Sequence, residues 1–440
     1  MDENLTATYA GRLSRLIQIE TVSQYGQTDL DKFYRFHEAL KREFPAISAA
    51  CEWEEFRGSL LLRWRGRDPA KTPILLMNHH DVVDAAGAWK YAPFSGEITE
   101  DKVWGRGALD TKGGLWAMLQ AADELAAEGF VPAQDVYFES ACTEEIDGSG
   151  ADHFSKMLQE RGMRFRFVLD EGGMIVFDPI GGSDGVFAMV GVGEKGCADL
   201  KFVARSNGGH ASTPPKNTPL VRLGRFMAEV ESKNLFDVRV SPTVREMFLR
   251  MAPTVSGPLK NIMAHPDAFN ALITSVLPRV SETAGAMLQT TVAFTMAQGS
   301  EGTNILPQEA WVVGNMRFSH HQGGAASIAA ITRVAQKYDI GVEILDPGFE
   351  SPISDFNSEG FRLVERAVAE NFPGVRTSPY IMTGASDARY FSRVSDCCLR
   401  FVPFRISDEQ LAGIHGLNES VDLSALVPAV KFYKYIFTEA

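Results

Sequence analysis

At 440 residues the chain exceeds what one hydrophobic core usually fills, so two domains are expected. Hydrophobic residues make up 45% and charged residues 22%, as in ordinary globular proteins able to bury a core. The formal net charge of -13 argues against nucleic-acid or anionic-membrane partners, which select a basic face.

Chain order begins at an acidic N-terminus, Met1-Asp2-Glu3-Asn4, with no apolar region of the signal-peptide kind. Helical spacing covers 8–20 (Leu13, Leu16, Ile17) and 30–43 (Phe33, Phe36, Leu40), and strands follow near 50–65. From 73 to 170 the order reads strand, loop, helix, strand, helix, strand, with the helix at 113–128 stopped by Gly129. Such alternation predicts an α/β fold, a mostly parallel sheet flanked by helices.

After the glycine-rich stretch 181–196 the texture changes. A strand at 198–204 and a helix near 218–233 lead into a long mixed segment. Paired strands near 289–297 and 310–318, a helix near 323–338 and a strand at 341–345 complete the unit. Strand-helix-strand-strand-helix-strand is a two-layer α+β, ferredoxin-like pattern. Helix-strand alternation resumes from Pro352, so residues 197–348 are expected as a domain inserted between 1–196 and 349–440. The five cysteines form no Cys-x-x-Cys pair, and no apolar stretch reaches the roughly 18–20 residues of a spanning helix. A reduced, cytoplasmic location is expected.

Several short acidic and histidine motifs lie at or just past the ends of apolar runs, where open α/β sheets gather ligands. His79 and Asp81 follow Pro73 to Met77; in extended chain their side chains share a side, so Asp81 can hold the second imidazole N–H, while His80 faces away. Asp110, among glycines before a helix, is either an N-cap or a carboxylate able to bridge two cations. Glu144-Glu145 follow Val136-Tyr137-Phe138; they are solvated loop acids, or a metal ligand beside a general base. Asp170-Glu171 follow Phe165 to Leu169, and His415 lies in Ile414-His415-Gly416. Imidazole with carboxylate suits divalent zinc. His210 sits on a Gly-Gly loop, which favours a substrate-facing role. Arg317 ends a strand; Asn304 and the loop containing Gly384 also read as plain turns.

Met77 to Val83, Gly105 to Gly114, Thr143-Glu144-Glu145, Leu169 to Gly173, Gly208 to Ser212 and Ile414 to Glu419 occur in order. Together they resemble the dinuclear zinc peptidase family that contains carboxypeptidase S, glutamate carboxypeptidase, succinyl-diaminopimelate desuccinylase and aminoacylase. The nearest branch is that of carboxypeptidase S and N-acyl-amino-acid hydrolases. The resemblance implies two zinc ions, or cobalt or manganese, bridged by Asp110. One ion would add His79 and either Asp170 or Glu171; the other would add Glu145 and His415. It further implies Glu144 as general base on the metal-activated water, Asp81 orienting His79, and a cis Asp110–Thr111 peptide. His210 would reach a neighbouring subunit's site in a homodimer, unless 234–288 fills the partner's place. Asn304, Arg317 and Gly384 would contact substrate. Asp84 departs from the family's usual Pro, and the Asp170-Glu171 doublet leaves the ligand open.

The expected function is metal-dependent hydrolysis of amide bonds in small peptides or N-acyl amino acids. The rivals are a dipeptidase or aminopeptidase anchoring a free amine, and a catalytically silent metal-binding scaffold, which would require a missing ligand or base.

Overall fold

In the computed structural model, which describes residues 3–440, the apolar runs that precede the acidic motifs pair with one another. Met1 and Asp2, the start of the acidic N-terminus, lie outside the described residues. The strands are β1 (Cys51–Phe56), β2 (Ser59–Trp64), β3 (Ile74–Met77), β4 (Lys102–Trp104), β5 (Val136–Ser140), β6 (Val168–Asp170), β7 (Ile175–Phe177), β8 (Val186–Glu194), β9 (Gly196–Arg205), β10 (Gly209–His210), β11 (Thr291–Gln298), β12 (Ile305–Leu306), β13 (Glu309–Phe318), β14 (Gly341–Asp346), β15 (Arg376–Met382), β16 (Cys398–Arg400) and β17 (Ser420–Asp422).

A large sheet runs β1-β2-β5-β3-β6-β16-β8-β15, with β7 paired to β8. Its centre, β5-β3-β6-β16, is parallel; the edge β1-β2 and the β16-β8 step are antiparallel. Successive side chains of a strand face opposite ways. Ile74 and Leu76 therefore join the core beneath helices Glu3–Ile17, Lys112–Ala127 and Leu423–Glu439, while Leu75 and Met77 join the core beneath Ser149–Glu160. Helices thus cover both faces, as the uninterrupted apolar runs demand. The first helix begins at Glu3 rather than near residue 8, because its polar opening turn carries no apolar periodicity.

A separate antiparallel sheet, ordered β11-β13-β9-β14, is covered on one face by helices Pro219–Ser232 and Gly323–Lys337. This is the two-layer α+β pattern. The long mixed segment folds into four short helices, Pro242–Met251, Gly257–Ala264, Asn270–Val280 and Glu282–Leu288. Their apolar sides do not extend the small sheet's core. They close over Phe187 and Met189 of β8 in the large sheet.

The chain crosses between the sheets at Glu194-Lys195-Gly196 and returns near Gly348, where a Cβ would meet the Cys197 carbonyl. The two crossings therefore lie side by side. Lys195, 3% exposed, donates to the carbonyls of Ala286 (2.9 Å) and Gln289 (2.8 Å) and to Thr291 Oγ1 (3.2 Å). Glu194 points into the large sheet, where Arg400 and Ser386 hold it.

Candidate active site

Parallel strands end together, so the motifs that follow β3, β5 and β6 converge. Asp110 comes from the loop before the helix Lys112–Ala127, and His415 from the loop before β17. His79 Nε2 lies 3.0 Å from Asp110 Oδ1, while His415 Nε2 lies 3.1 Å from Asp110 Oδ2 and 3.0 Å from Glu145 Oε2. The two oxygens of Asp110 thus face two different imidazoles. His79, Asp110 and Glu145 together form a group with metal-ligand spacing. The Asp110–Thr111 peptide is cis, and His415 has a left-handed backbone (φ 57).

Asp81 is buried beneath this group. Its Oδ1 is 3.3 Å from His79 Nδ1, whose nearer partner is the Asp81 backbone carbonyl at 3.0 Å. The same carboxylate accepts the backbone N–H of Glu144 (3.3 Å) and of Glu145 (3.1 Å). Residue 81 therefore fixes the imidazole and both glutamates at once. His80 points away and is held by Ser140 Oγ and the Gly58 carbonyl, separate from the site.

The electrostatics are dominated by carboxylates in a poorly solvated place. Burial raises Glu144 and Glu171 well above the ordinary carboxylate value and raises Glu145 as well. Asp110 is lowered despite its burial, because His415 and His79 bond to it. The reciprocal bonds to Asp110 and Glu145 raise His415 to about 10. Among the described residues, none of Glu144, Glu145 and Glu171 is ion-paired to Lys or Arg. Buried acids without such partners call for cations. Zinc held at about 2.0–2.2 Å by nitrogen and oxygen spaces the two ligand atoms about 3.3 Å apart. The separations at Asp110 come within a few tenths of an ångström of that, so the residues fit a divalent ion.

A cavity of about 1070 Å³ opens over the group, and Asp110, Glu144, Glu145, Glu171 and His415 line it. Arg317 and Gly384 also line it, from β13 and from the loop after β15. Asp170 is placed differently from Glu171: it lies 2% exposed behind the cavity and accepts the Ala388 N–H at 2.7 Å. His210 and Asn304 are not among the lining residues. They sit together on the ribbon β10-β12, where the Ala211 N–H donates to the Asn304 carbonyl and His210 is exposed.

Three buried acids had no individual role in the sequence reading. Asp387 is 3% exposed, neither of its side-chain oxygens has a hydrogen-bond partner, and burial raises it to about 8. Glu139, inside the apolar strand β5, is fully buried and pushed well up by burial. An acid within an apolar run was the available signal for Glu139. Glu419 braces the Asp110 loop through backbone bonds.

The family model for peptidase family M20/M25/M40 matches residues 75–439. The chain is 29% identical over 445 residues to a probable carboxypeptidase S-like 2 of Dictyostelium discoideum, covering 97% of this chain and 84% of that one. It is 30% identical over 431 residues to the Homo sapiens N-fatty-acyl-amino acid synthase/hydrolase PM20D1, covering 96% and 85% respectively. Among solved structures, the M20 family metallo-carboxypeptidase Sso-CP2 from Sulfolobus solfataricus superposes with a TM-score of 0.72 at 17% identity, covering 99% of each chain. With converging imidazoles and carboxylates on a shared fold, the chain belongs to peptidase family M20/M25/M40 and is a hydrolase that uses a divalent metal.

Proposed function

We propose that the chain cleaves the amide bond of N-acyl amino acids with an apolar acyl group, using two zinc ions. The observation that carries this reading is the lining of the active-site cavity. Beyond the acids it is rich in methionine (Met174, Met189, Met247, Met287, Met382), while Arg317 and Arg389 stand on the same cavity. Methionine side chains adapt to flexible apolar ligands, and a guanidinium forks onto a carboxylate. The similarity to the human synthase/hydrolase named above supports the same substrate class.

The residues that would hold the ions are Asp110, His79 with Glu171, and Glu145 with His415. Glu171 is preferred over Asp170 because it lines the cavity, whereas Asp170 is engaged with Ala388. When bound, zinc, or cobalt or manganese in its place, supplies Lewis-acid charge at these side chains. Glu144, raised by its burial, takes a proton from the attacking water and delivers it to the leaving amine. Asp81 holds Glu144 and His79 in register. Arg317 and the Gly384 loop position the substrate.

His210 and Asn304, outside the cavity of their own chain, are assigned to the cavity of a second copy, where His210 donates to the tetrahedral oxyanion. A donor of this kind contributes about 3–4 kcal/mol. On this reading 197–348 is the inserted, dimer-forming domain between 1–196 and 349–440. The segment 234–288 packs on its own large sheet and brings Met247, Thr283 and Met287 to the cavity, so its filling the partner's place is the alternative to the dimer. Five free cysteines support a reducing, cytoplasmic location. Among the described residues no helix is long and apolar enough to cross a membrane.

The test is hydrolysis of an N-acyl amino-acid series, from acetyl to long-chain acyl, beside dipeptides with a free amine. Turnover should favour long acyl groups, vanish on chelation and return with zinc, cobalt or manganese. Preference for the dipeptides would favour the dipeptidase reading. Full activity in metal-free protein would overturn the mechanism, and inactivity of fully zinc-loaded protein would favour the scaffold.

A further inference from the structure

A second cavity, of about 810 Å³, shares no lining residue with the active site. Its wall holds Arg205, Lys216, Arg222, Arg225 and Lys337, with Asp339 as its single acidic member. That is a concentrated cationic surface on a chain of net charge -13. Three of the cations are already compensated: Arg205 by Glu309 and Glu343, Lys337 by Glu229, and Arg222 by Asp339. Lys216 and Arg225 have no ion-pair partner among the described residues, and Arg225 is oriented by Asn217 Oδ1 at 2.6 Å.

Two further observations point to a ligand. Arg222 is only 8% exposed: its terminal nitrogens are held by Asp339 and the Arg205 carbonyl, while its buried Nε–H has no hydrogen-bond partner. The cavity also includes Thr218 and Pro219, the start of the 14-residue helix Pro219–Ser232, and Thr218 makes no side-chain capping bond. The first-turn amides of that helix therefore lack the acceptor that an N-cap side chain usually provides.

We propose that this cavity binds a small phosphate-bearing molecule, with Lys216 and Arg225 around the phosphate and the helix start beneath it. Phosphate oxygens match both the arginine fork and the free amides of a helix N-terminus. The volume exceeds that of bare phosphate and suits a phosphate ester. A nucleic-acid backbone is disfavoured, since it requires a long basic track and this chain is acidic overall, with a net charge of -13. The cavity includes Gly208, just before β10, and Leu306 of β12, so the ligand lies beside the strand that carries His210.

The test is calorimetric titration of the full chain, each protein prepared in the same zinc-containing buffer, with phenyl phosphate and with inorganic phosphate. Wild type, the double variant Lys216→Gln/Arg225→Gln and Glu145→Gln are compared, with phenol as the phosphate-free control. Lys216 and Arg225 are exposed and lie apart from the active site, so the double variant should fold and keep its basal hydrolysis. Phosphate binding should weaken roughly tenfold or more in the double variant, persist in Glu145→Gln, and be absent for phenol. Tighter binding of phenyl phosphate than of the inorganic ion identifies an ester ligand; the reverse order overturns that part. The site is refuted if wild type binds neither probe, if the double variant binds as well as wild type, or if binding disappears in Glu145→Gln and so belongs to the metal centre.

Discussion

Glu419 Oε1 accepts the backbone N–H of Asp110 at 3.0 Å. The same carboxylate also takes the N–H groups of Leu109 (2.7 Å) and Gly107 (3.0 Å) and an Arg106 N–H (2.8 Å). Arg106 in turn donates to the Gly416 carbonyl at 2.8 Å, so one buried pair braces the loops of both Asp110 and His415. Removing one partner of a buried charge pair costs about 3–5 kcal/mol. Glu419→Gln should therefore lower the denaturation midpoint and weaken metal retention together. Unchanged metal content after dialysis would show that the brace is irrelevant to the site.

Glu144→Gln and Glu145→Gln should separate cleanly. The first should retain metal and lose roughly two to four orders of magnitude in kcat, the usual contribution of a positioned acid-base group. The second should lose metal. Metal content and single-turnover rates measured on both variants decide, and exchanged phenotypes would reverse the two roles.

Arg317→Ala should raise KM for substrates with a free C-terminal carboxylate and leave the corresponding amides almost unchanged. Arg317 lines the cavity, and its Nε–H donates to Asn315 Oδ1 at 3.1 Å, which aims the guanidinium. Equal losses on acid and amide substrates would remove this assignment.

Lys195 gives a pH signature. Burial, with Arg317 nearby, lowers its ammonium from 10.5 to about 7. Below about pH 7 the group is charged in both folded and unfolded chains, and the folded state bears the whole cost. Between about 7 and 10.5 the unfolded chain holds a proton that the folded chain lacks, so stability rises with pH. The stability difference between wild type and Lys195→Met should therefore grow in favour of wild type across that window, by at most about 1.4 kcal/mol per pH unit. Urea unfolding at several pH values tests this, and a flat difference contradicts it.

If His210 serves the cavity of a second copy, His210→Ala and Glu144→Gln proteins, each inactive alone, should recover partial activity when mixed under subunit exchange. One of the possible hybrid sites has both groups intact. No recovery despite demonstrated exchange would confine His210 to its own chain.

Much of the fold was legible because its local signals agree with its long-range ones. The runs Ile74–Met77 and Val136–Phe138 are apolar without alternation, as in a sheet covered on both faces, and the acids past their ends meet. The segment 234–288 was not legible. Its helices are short, Asn270–Val280 contains Pro278, and their apolar residues are organised by β8, remote in sequence. Asp387 was hidden for a different reason: an acid in a Gly-Ala-Ser loop reads as a turn former until the neighbours that bury it are known. His210 was singled out by its Gly-Gly loop and Asn304 only through the family resemblance, and that neither lines the cavity of its own chain depends on how the small sheet is carried.

The neck where Cys197 and Gly348 touch has a consequence for how such a chain can arise and fold. A loop's entropic cost depends on the span its ends must close, and it grows by only about 0.6 kcal/mol per doubling of length. Here the ends of the long excursion already meet, so the strands on either side, β8 and β15, find their parallel register with little regard for what lies between. The excursion can be lengthened, exchanged or shortened while the large sheet keeps its wiring. Helices such as Pro242–Met251 can then be added within it and still end up against the large sheet.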